Sequence, residues 1–218
     1  NSSVCTPTRY GVLTGRYCWR SRLKKGVLDG NSTALIEEGR ETVASVLKAG
    51  GYRTACIGKW HLGMNFTKMK GNSKGKWDYD APIARGPNAV GFDYYLGIAA
   101  SLDMPPYALI QNDRFLQKPT EHFEALKKQL DYTRGGAIAP EFKHVDYLPL
   151  VAEQAEEYIA SGAKESEPFF LYLPLPSPHK PVVPNEAFQG KSGIGQYGDY
   201  VVETDWVVGR VIQALKDG

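Results

Sequence analysis

Five positions carry most of the chemistry available to this sequence: Cys5, Arg9, Lys59, His61 and His179. Cys5 stands where a helix is predicted to begin, and the free N–H groups and positive end of a helix favour an anion there, lowering a thiol pKa or holding a bound oxyanion. Arg9, four residues on, falls on the same helix face. Lys59 and His61 follow one short apolar run and His179 follows another, so a sheet built from those runs brings all three to one end. A nucleophile, two fixed cations and two imidazoles describe a site for an anionic tetrahedral group. Taken singly, each has a plainer role: a small buried thiol, a surface arginine, a solvated lysine, two hydrogen-bonded turn histidines.

The elements that must position these residues are partly visible. Residues 6–15 form a predicted helix with Thr6 as N-cap, Pro7 in the first helical position, Val12 and Leu13 inward and Gly15 as the stop. A second helix is expected over 42–49, with Val43, Val46 and Leu47 on its buried face and Gly50-Gly51 after it. The apolar run 53–57 predicts a buried strand that leads into Gly58-Lys59-Trp60-His61-Leu62-Gly63. Residues 64–90 are expected to form a solvated, lysine-rich loop, and irregular chain to continue to about 145. Leu148, Val151, Ala155, Tyr158 and Ile159 have helical spacing, 169–173 predicts a strand, and Leu175-Pro176-Ser177-Pro178-His179-Lys180-Pro181 a turn. A last helix is expected over 198–216. Helices alternating with short apolar strands indicate an α/β sheet, with ligands beyond the strand ends.

Composition bounds the partners. The 218 residues are 42% hydrophobic and 23% charged, an ordinary globular balance. A net charge of +2 is too small for a global field that gathers nucleic acid. No apolar run approaches the roughly 20 residues of a transmembrane helix, and the first five residues carry no signal-peptide pattern. The 3 cysteines cannot all pair and lack C-x-x-C spacing.

Three motif matches fail on context. Gly193-Ile194-Gly195-Gln196-Tyr197-Gly198 fits the dinucleotide pattern but follows no convincing strand. Gly190-Lys191-Ser192 lacks the upstream glycine of a phosphate loop, where Asn185 stands. Gly71-Asn72-Ser73-Lys74-Gly75 matches a serine elbow but lies in the lysine-rich loop.

Cys5-Thr6-Pro7-Thr8-Arg9, continued by Leu13-Thr14-Gly15-Arg16, resembles the sulfatase signature C-x-[PS]-x-R followed by L-T-G-R. Gly58 to Gly63 is similar to the second motif of that family, and Ser177-Pro178-His179-Lys180-Pro181 to the third. The likeness spans nearly the whole chain in order, including Val90-Gly91-Phe92-Asp93. It points to the type I, formylglycine-dependent sulfatases of the alkaline phosphatase superfamily, nearest to bacterial arylsulfatases and N-acetylgalactosamine-6-sulfatase-like carbohydrate sulfatases. The resemblance implies an alkaline-phosphatase-like three-layer α/β sandwich with a central, mostly parallel sheet.

It also implies roles. Cys5 would be oxidised to formylglycine, whose hydrated aldehyde is both the nucleophile and a ligand of a divalent cation, usually calcium. A formylglycine-generating or anaerobic sulfatase-maturating enzyme would read Pro7 and Arg9, and Arg9 would also hold the formylglycine. Lys59 would contact the sulfate, His61 would orient and deprotonate the nucleophile, and His179 would contact the sulfate or assist the leaving group. Ser101 and Asp103, in Ala99-Ala100-Ser101-Leu102-Asp103, resemble a substrate-binding loop of the family. Preorganised positive charge is the physical requirement, because sulfate esters repel nucleophiles.

The family's Asp-Asp pair before the cysteine and its later Asp-Asn or Asp-His pair have no counterparts in residues 1–218. The expectation is therefore that the segment is the central part of a catalytic domain, with the metal carboxylates outside it. Asp78-Tyr79-Asp80 is expected to be solvated rather than a ligand set. The run Arg16, Arg20, Arg22, Lys24 and Lys25 suits a polyanionic glycan or a solvated loop. The expected substrate is a sulfated small molecule or glycan, and the expected location periplasmic or secreted. A phosphonate or phosphodiester hydrolase, and an inactive anion-binding module, are the alternatives.

Overall fold

The computed structural model describes residues 2–71 and 76–218. Helix α1 spans Cys5–Thr14, one residue earlier than the sequence suggests, and ends at Gly15 in the left-handed conformation, φ 65°. Its N-cap is Val4, which offers no side-chain cap. Thr6 lies inside the helix, where its hydroxyl donates to the His61 carbonyl (3.0 Å) and accepts from the Leu28 N–H (3.2 Å). Two tertiary bonds thus replace the expected cap. Pro7 falls in the first turn, where a missing N–H costs no intrahelical bond. The inward stripe is Thr6, Tyr10 and Leu13, spaced i, i+4, i+7; Val12 is turned outward and exposed.

Helix α2, Val43–Ala49, is capped reciprocally by Thr42 and Ser45. It buries Ala44, while Val43 and Val46 face outward, opposite to the expected face. The reason is a close approach: a Cβ on Gly91 would lie 2.3 Å from the Ser45 nitrogen, so the helix backbone itself packs on the Gly91 turn. Only a small residue fits that contact.

Strand β1, Arg53–Lys59, is an interior strand of a five-stranded sheet. It pairs in parallel with β2, Tyr94–Ile98 (Ala55 opposite Tyr94), and with β7, Phe169–Tyr172 (Arg53 opposite Phe169). The short antiparallel strands β3, Ile110–Gln111, and β4, Arg114–Phe115, extend the β2 side, giving the order β4-β3-β2-β1-β7. Strands β5, Glu121–Phe123, and β6, Gly136–Ile138, form a separate antiparallel pair. The expected irregular stretch to 145 therefore holds five strands. Strand β2 escaped notice because it is buried on both faces and shows no alternation. Gly97 interrupts it for cause: a Cβ there would meet the Gly58 carbonyl at 1.7 Å. The 64–90 segment is also less solvated than expected, since Met64 and Ile83 are buried.

Alternation along the strands divides the core into layers. Cys56, Tyr95 and Phe170 pack with Tyr10, Leu13 and Ala44 from α1 and α2. Ile57, Tyr94 and Leu171 pack on the opposite face with Tyr147, Val151 and Tyr158 of α3, Tyr147–Gly162. Helix α4, Gln196–Asp217, covers α3 through Tyr200 and Val207 against Leu148 and Ala152. Each fully buried aliphatic side chain contributes roughly 1.5–3 kcal/mol. The result is helices, sheet, helices. Because β1, β2 and β7 run parallel as neighbours, the segments following them, 60–63, 99–103 and 173–181, emerge at one edge.

Candidate active site

At that edge stand Lys59 at the end of β1, Ser101 and Asp103 after β2, and His179 after β7, with the first turn of α1 facing them. Lys59 Nζ donates to Cys5 Sγ at 3.3 Å and to Ser101 Oγ at 3.0 Å. Ser101 Oγ in turn lies 3.3 Å from His179 Nδ1. Cys5, Lys59, Ser101 and His179 thus form one continuous line of polar contacts. A hollow of about 350 Å³ opens over Cys5, Arg9, Lys59, Tyr172, Leu175 and His179.

The glycines around Lys59 and His61 have a steric purpose. Gly58 has φ 134°, and a Cβ on it would sit 2.6 Å from the Pro174 carbonyl; at Gly63, φ 75°, it would sit 2.1 Å from the Thr33 carbonyl. The segment is wedged between two other backbones. His61 itself takes φ 56°, a strained value for a residue with a side chain. It is held there by its N–H on the Ala99 carbonyl and by its own carbonyl on the Thr6 hydroxyl.

Among the described residues Arg9 makes no hydrogen bond to Cys5. Its guanidinium donates to the carbonyls of Lys59 (2.6 Å) and Leu175 (3.0 Å), joining α1 to the ends of β1 and β7. His61 Nε2 lies 2.7 Å from the Leu28 carbonyl. A carbonyl only accepts, so Nε2 carries the proton and Nδ1 is a bare acceptor. That nitrogen is buried and has no partner. Burial first, then the Lys59 cation, lowers His61 to about 3, so the ring is neutral at neutral pH. Burial first, then the Arg9 cation, lowers Lys59 to about 8. Among the described residues no carboxylate lies within ion-pair distance of Lys59.

Three contributors were invisible in the sequence. Leu28 supplies the carbonyl that sets the His61 tautomer. Arg134 donates from its backbone to the Asp103 carbonyl (3.0 Å) and from Nη1 to Asp29 Oδ1 (2.6 Å), which brings Arg134 and Asp29 to the rim. All come from loops with no local pattern to mark them.

Calcium takes roughly 6–8 oxygen ligands. Among the described residues no three His, Cys, Asp or Glu side chains converge. Asp103, the carboxylate beside His179, faces His179 and Arg134 at 3.9 Å each. These residues do not make up a calcium donor set. Asp78 is occupied as a turn acceptor for the N–H groups of Asp80 and Ala81, and Asp80 pairs with Lys118.

The dinucleotide-like stretch is a turn into α4, with Asp199 accepting from the N–H groups of Gly190 and Ser192 (2.8 Å each) and the Ser192 hydroxyl (2.7 Å). Residues 72–75 of the serine-elbow match lie outside the described residues. In the basic run, Arg22 is committed to the Thr33 and Ala34 carbonyls, Lys24 to the Trp19 carbonyl, and Arg20 lies over the Trp19 ring.

A family model described as Sulfatase matches residues 1–218. The N-acetylgalactosamine-6-O-sulfatase of Bacteroides thetaiotaomicron is 31% identical, the match covering 98% of this chain and 46% of that protein. Human (Homo sapiens) arylsulfatase A is also 31% identical, over 99% of this chain and 40% of its own length. A solved chain from a study of glycosaminoglycan metabolism by Bacteroides thetaiotaomicron superposes with a TM-score of 0.81 at 29% identity, covering 98% of this chain and 49% of that one. The PsFucS1 sulfatase from Pseudoalteromonas sp. shares the fold, with a TM-score of 0.68 at 20% identity, covering 100% of this chain and 43% of that one. The chain spans under half the length of the relatives it matches.

Proposed function

The chain belongs to the sulfatase family, and on that premise we propose that the protein carrying it hydrolyses sulfate esters of sulfated carbohydrates, with Cys5 converted to formylglycine. The observation that carries this reading is the convergence on Cys5 of a buried lysine that has no carboxylate partner. A buried cation left unneutralised is costly unless an anion completes it, and a sulfate ester supplies that anion.

Formylglycine at position 5 supplies an oxygen nucleophile as its hydrate. Lys59 neutralises the sulfuryl oxygens, and Ser101, which it touches, sets the second edge of the anion site. His61 Nδ1, a neutral and unpartnered acceptor, takes a proton from the nucleophile. Arg9 locks the first turn of α1 against the ends of β1 and β7, fixing the distance from residue 5 to Lys59. His179, half exposed at the mouth, serves the departing oxygen.

The proposal includes a maturation enzyme that reads Cys5, Pro7 and Arg9, a calcium site completed by carboxylates outside residues 1–218, and a periplasmic or secreted location. None of the described helices is long and apolar enough to cross a membrane. Mass spectrometry of the tryptic peptide ending at Arg9, from protein made in a host with the maturation system, tests the modification. Replacement of the thiol by an aldehyde is expected; an unmodified thiol removes the mechanism. Sulfate release from N-acetylgalactosamine 6-sulfate, set against nitrophenyl sulfate and phosphate esters, tests the activity, and preference for a phosphate ester overturns it.

A further inference from the structure

The line of contacts from Cys5 to His179 leaves one buried charge unexplained. Asp103 is 5% exposed, and its Oδ1 is buried with no hydrogen-bond partner. Its neighbours are His179, whose Nδ1 lies 3.9 Å from Oδ1, and Arg134, whose Nε lies 3.9 Å from Oδ2. Arg134 is itself fixed, by its backbone N–H on the Asp103 carbonyl and by Nη1 on Asp29. It therefore faces one carboxylate oxygen while the other is left toward the imidazole.

The tautomer of His179 follows from the same geometry. Nδ1 lies 2.7 Å from the Lys180 carbonyl, which only accepts, so Nδ1 carries a proton and Nε2 is the ring nitrogen left for the ester. Ser101 Oγ also lies beside Nδ1 and accepts from Lys59, which ties the imidazole to the anion site.

We propose that Asp103 is a positioning residue that acts through His179, holding the imidazolium so that Nε2 delivers its proton to the leaving oxygen of the ester. The proposal rests on the sulfatase reading above and assigns the step that the ester's alcohol requires. As the oxygen of the hydrated residue 5 bonds to sulfur, its proton passing to His61, the S–O bond to the alcohol breaks, its electron pair stays on the leaving oxygen, and the Nε2 proton moves to that oxygen. His179 is left neutral and regains a proton from solvent. A sugar alcohol is a poor leaving group and needs that proton; nitrophenolate departs without it.

The test compares D103N with wild type in the full-length protein on a sugar 6-sulfate and on nitrophenyl sulfate. The expected result is a roughly 10–100-fold lower kcat on the sugar sulfate, with KM held and kcat on nitrophenyl sulfate within about twofold, and partial recovery in D103E. Equal losses on both esters, a loss confined to KM, or no loss on either overturns the proposal. If wild type releases sulfate from neither ester, the sulfatase reading has failed, and the Asp103–His179 link is judged by nitrogen NMR. The proposal then requires the His179 ring-nitrogen shifts to differ between wild type and D103N while Nδ1 stays protonated against the Lys180 carbonyl, and unchanged shifts overturn it.

Discussion

The end of β1 and the first turns of α4 both bury ionisable side chains, bases at the first and acids at the second. At the β1 end the groups are Lys59 and His61, with Arg9 packed behind them. Among the described residues, Lys59 Nζ makes hydrogen bonds only to a thiol and a hydroxyl, and His61 Nδ1 makes none. At the start of α4, Asp199 is saturated by two backbone N–H groups and a serine hydroxyl, which hold its carboxyl below the usual range. Glu203, one turn on, accepts from the Asn185 N–H (3.0 Å), and burial pushes it up to about 7, so it retains a proton over much of the acidic range. Asp199 is completed by the fold itself, and Glu203, whose Oε1 is buried without a hydrogen-bond partner among the described residues, sits where burial favours its protonated form; the bases of β1 wait for something outside the fold. That contrast marks the first region as a site and the second as scaffold.

Removing Lys59 tests the contrast most severely. Lys59→Met keeps the hydrocarbon stem and deletes the desolvated charge, so sulfate-ester kcat/KM is expected to fall about 10²–10³-fold. The melting temperature should hold or rise, because the folded state no longer buries a bare cation. A melting point several degrees lower with activity intact would return Lys59 to the scaffold. The wild-type rate carries the same signature: Lys59 is a cation below about 8 and loses its charge above it, so kcat/KM should decline through that pH.

A smaller effect belongs to His61. With the ring neutral down to about 3, acidification to about pH 4 should produce no rate change traceable to it. His61→Asn should cost about 10²-fold in kcat, with a smaller change in KM. A rate limb near pH 6.5 that disappears in His61→Asn would show instead that the ring titrates freely.

What could be read in advance depended on whether the determinants are local. Cys5, Pro7 and Arg9 share one turn of helix, and Lys59 and His61 share one glycine-bounded segment, so spacing alone singled them out. Helices α3 and α4 repeat their apolar positions often enough for period to find them. Strand β2 has neither alternation nor length, and Gly97 within it answers to the Gly58 carbonyl, a neighbour about 40 residues away in sequence. On α2 the faces of Val43 and Val46 differ from expectation because the helix backbone packs closely on the Gly91 turn, and on α1 Val12 faces outward because Thr6, Tyr10 and Leu13 form the inward stripe. The tautomer of His61 and the surroundings of Asp103 depend on loops at Leu28, Asp29 and Arg134 meeting in space, which no local window records.

Glu203 provides the mildest and most discriminating test. Its carboxyl titrates at about 7 in the folded chain against 4.5 for an unperturbed side chain. Between those values the folded state holds a proton that the unfolded chain has released, so folding stability falls as pH rises through the window. The stabilisation is fully present below about 4.5 and lost above about 7, on the order of 3 kcal/mol in all. Glu203→Gln keeps an acceptor for the Asn185 N–H and cannot titrate, so urea melts between pH 4.5 and 7 should lose this slope and gain stability at neutral pH. Sulfate release should be unchanged, since Glu203 touches no residue of the Cys5–His179 line. The region is nevertheless joined to that line at one point: Thr204, its neighbour, donates to the Ser177 hydroxyl two residues before His179 (2.8 Å). A Glu203→Gln chain with a flat stability profile and a reduced rate would therefore make the first turns of α4 part of the site's support and erase the contrast between the two regions.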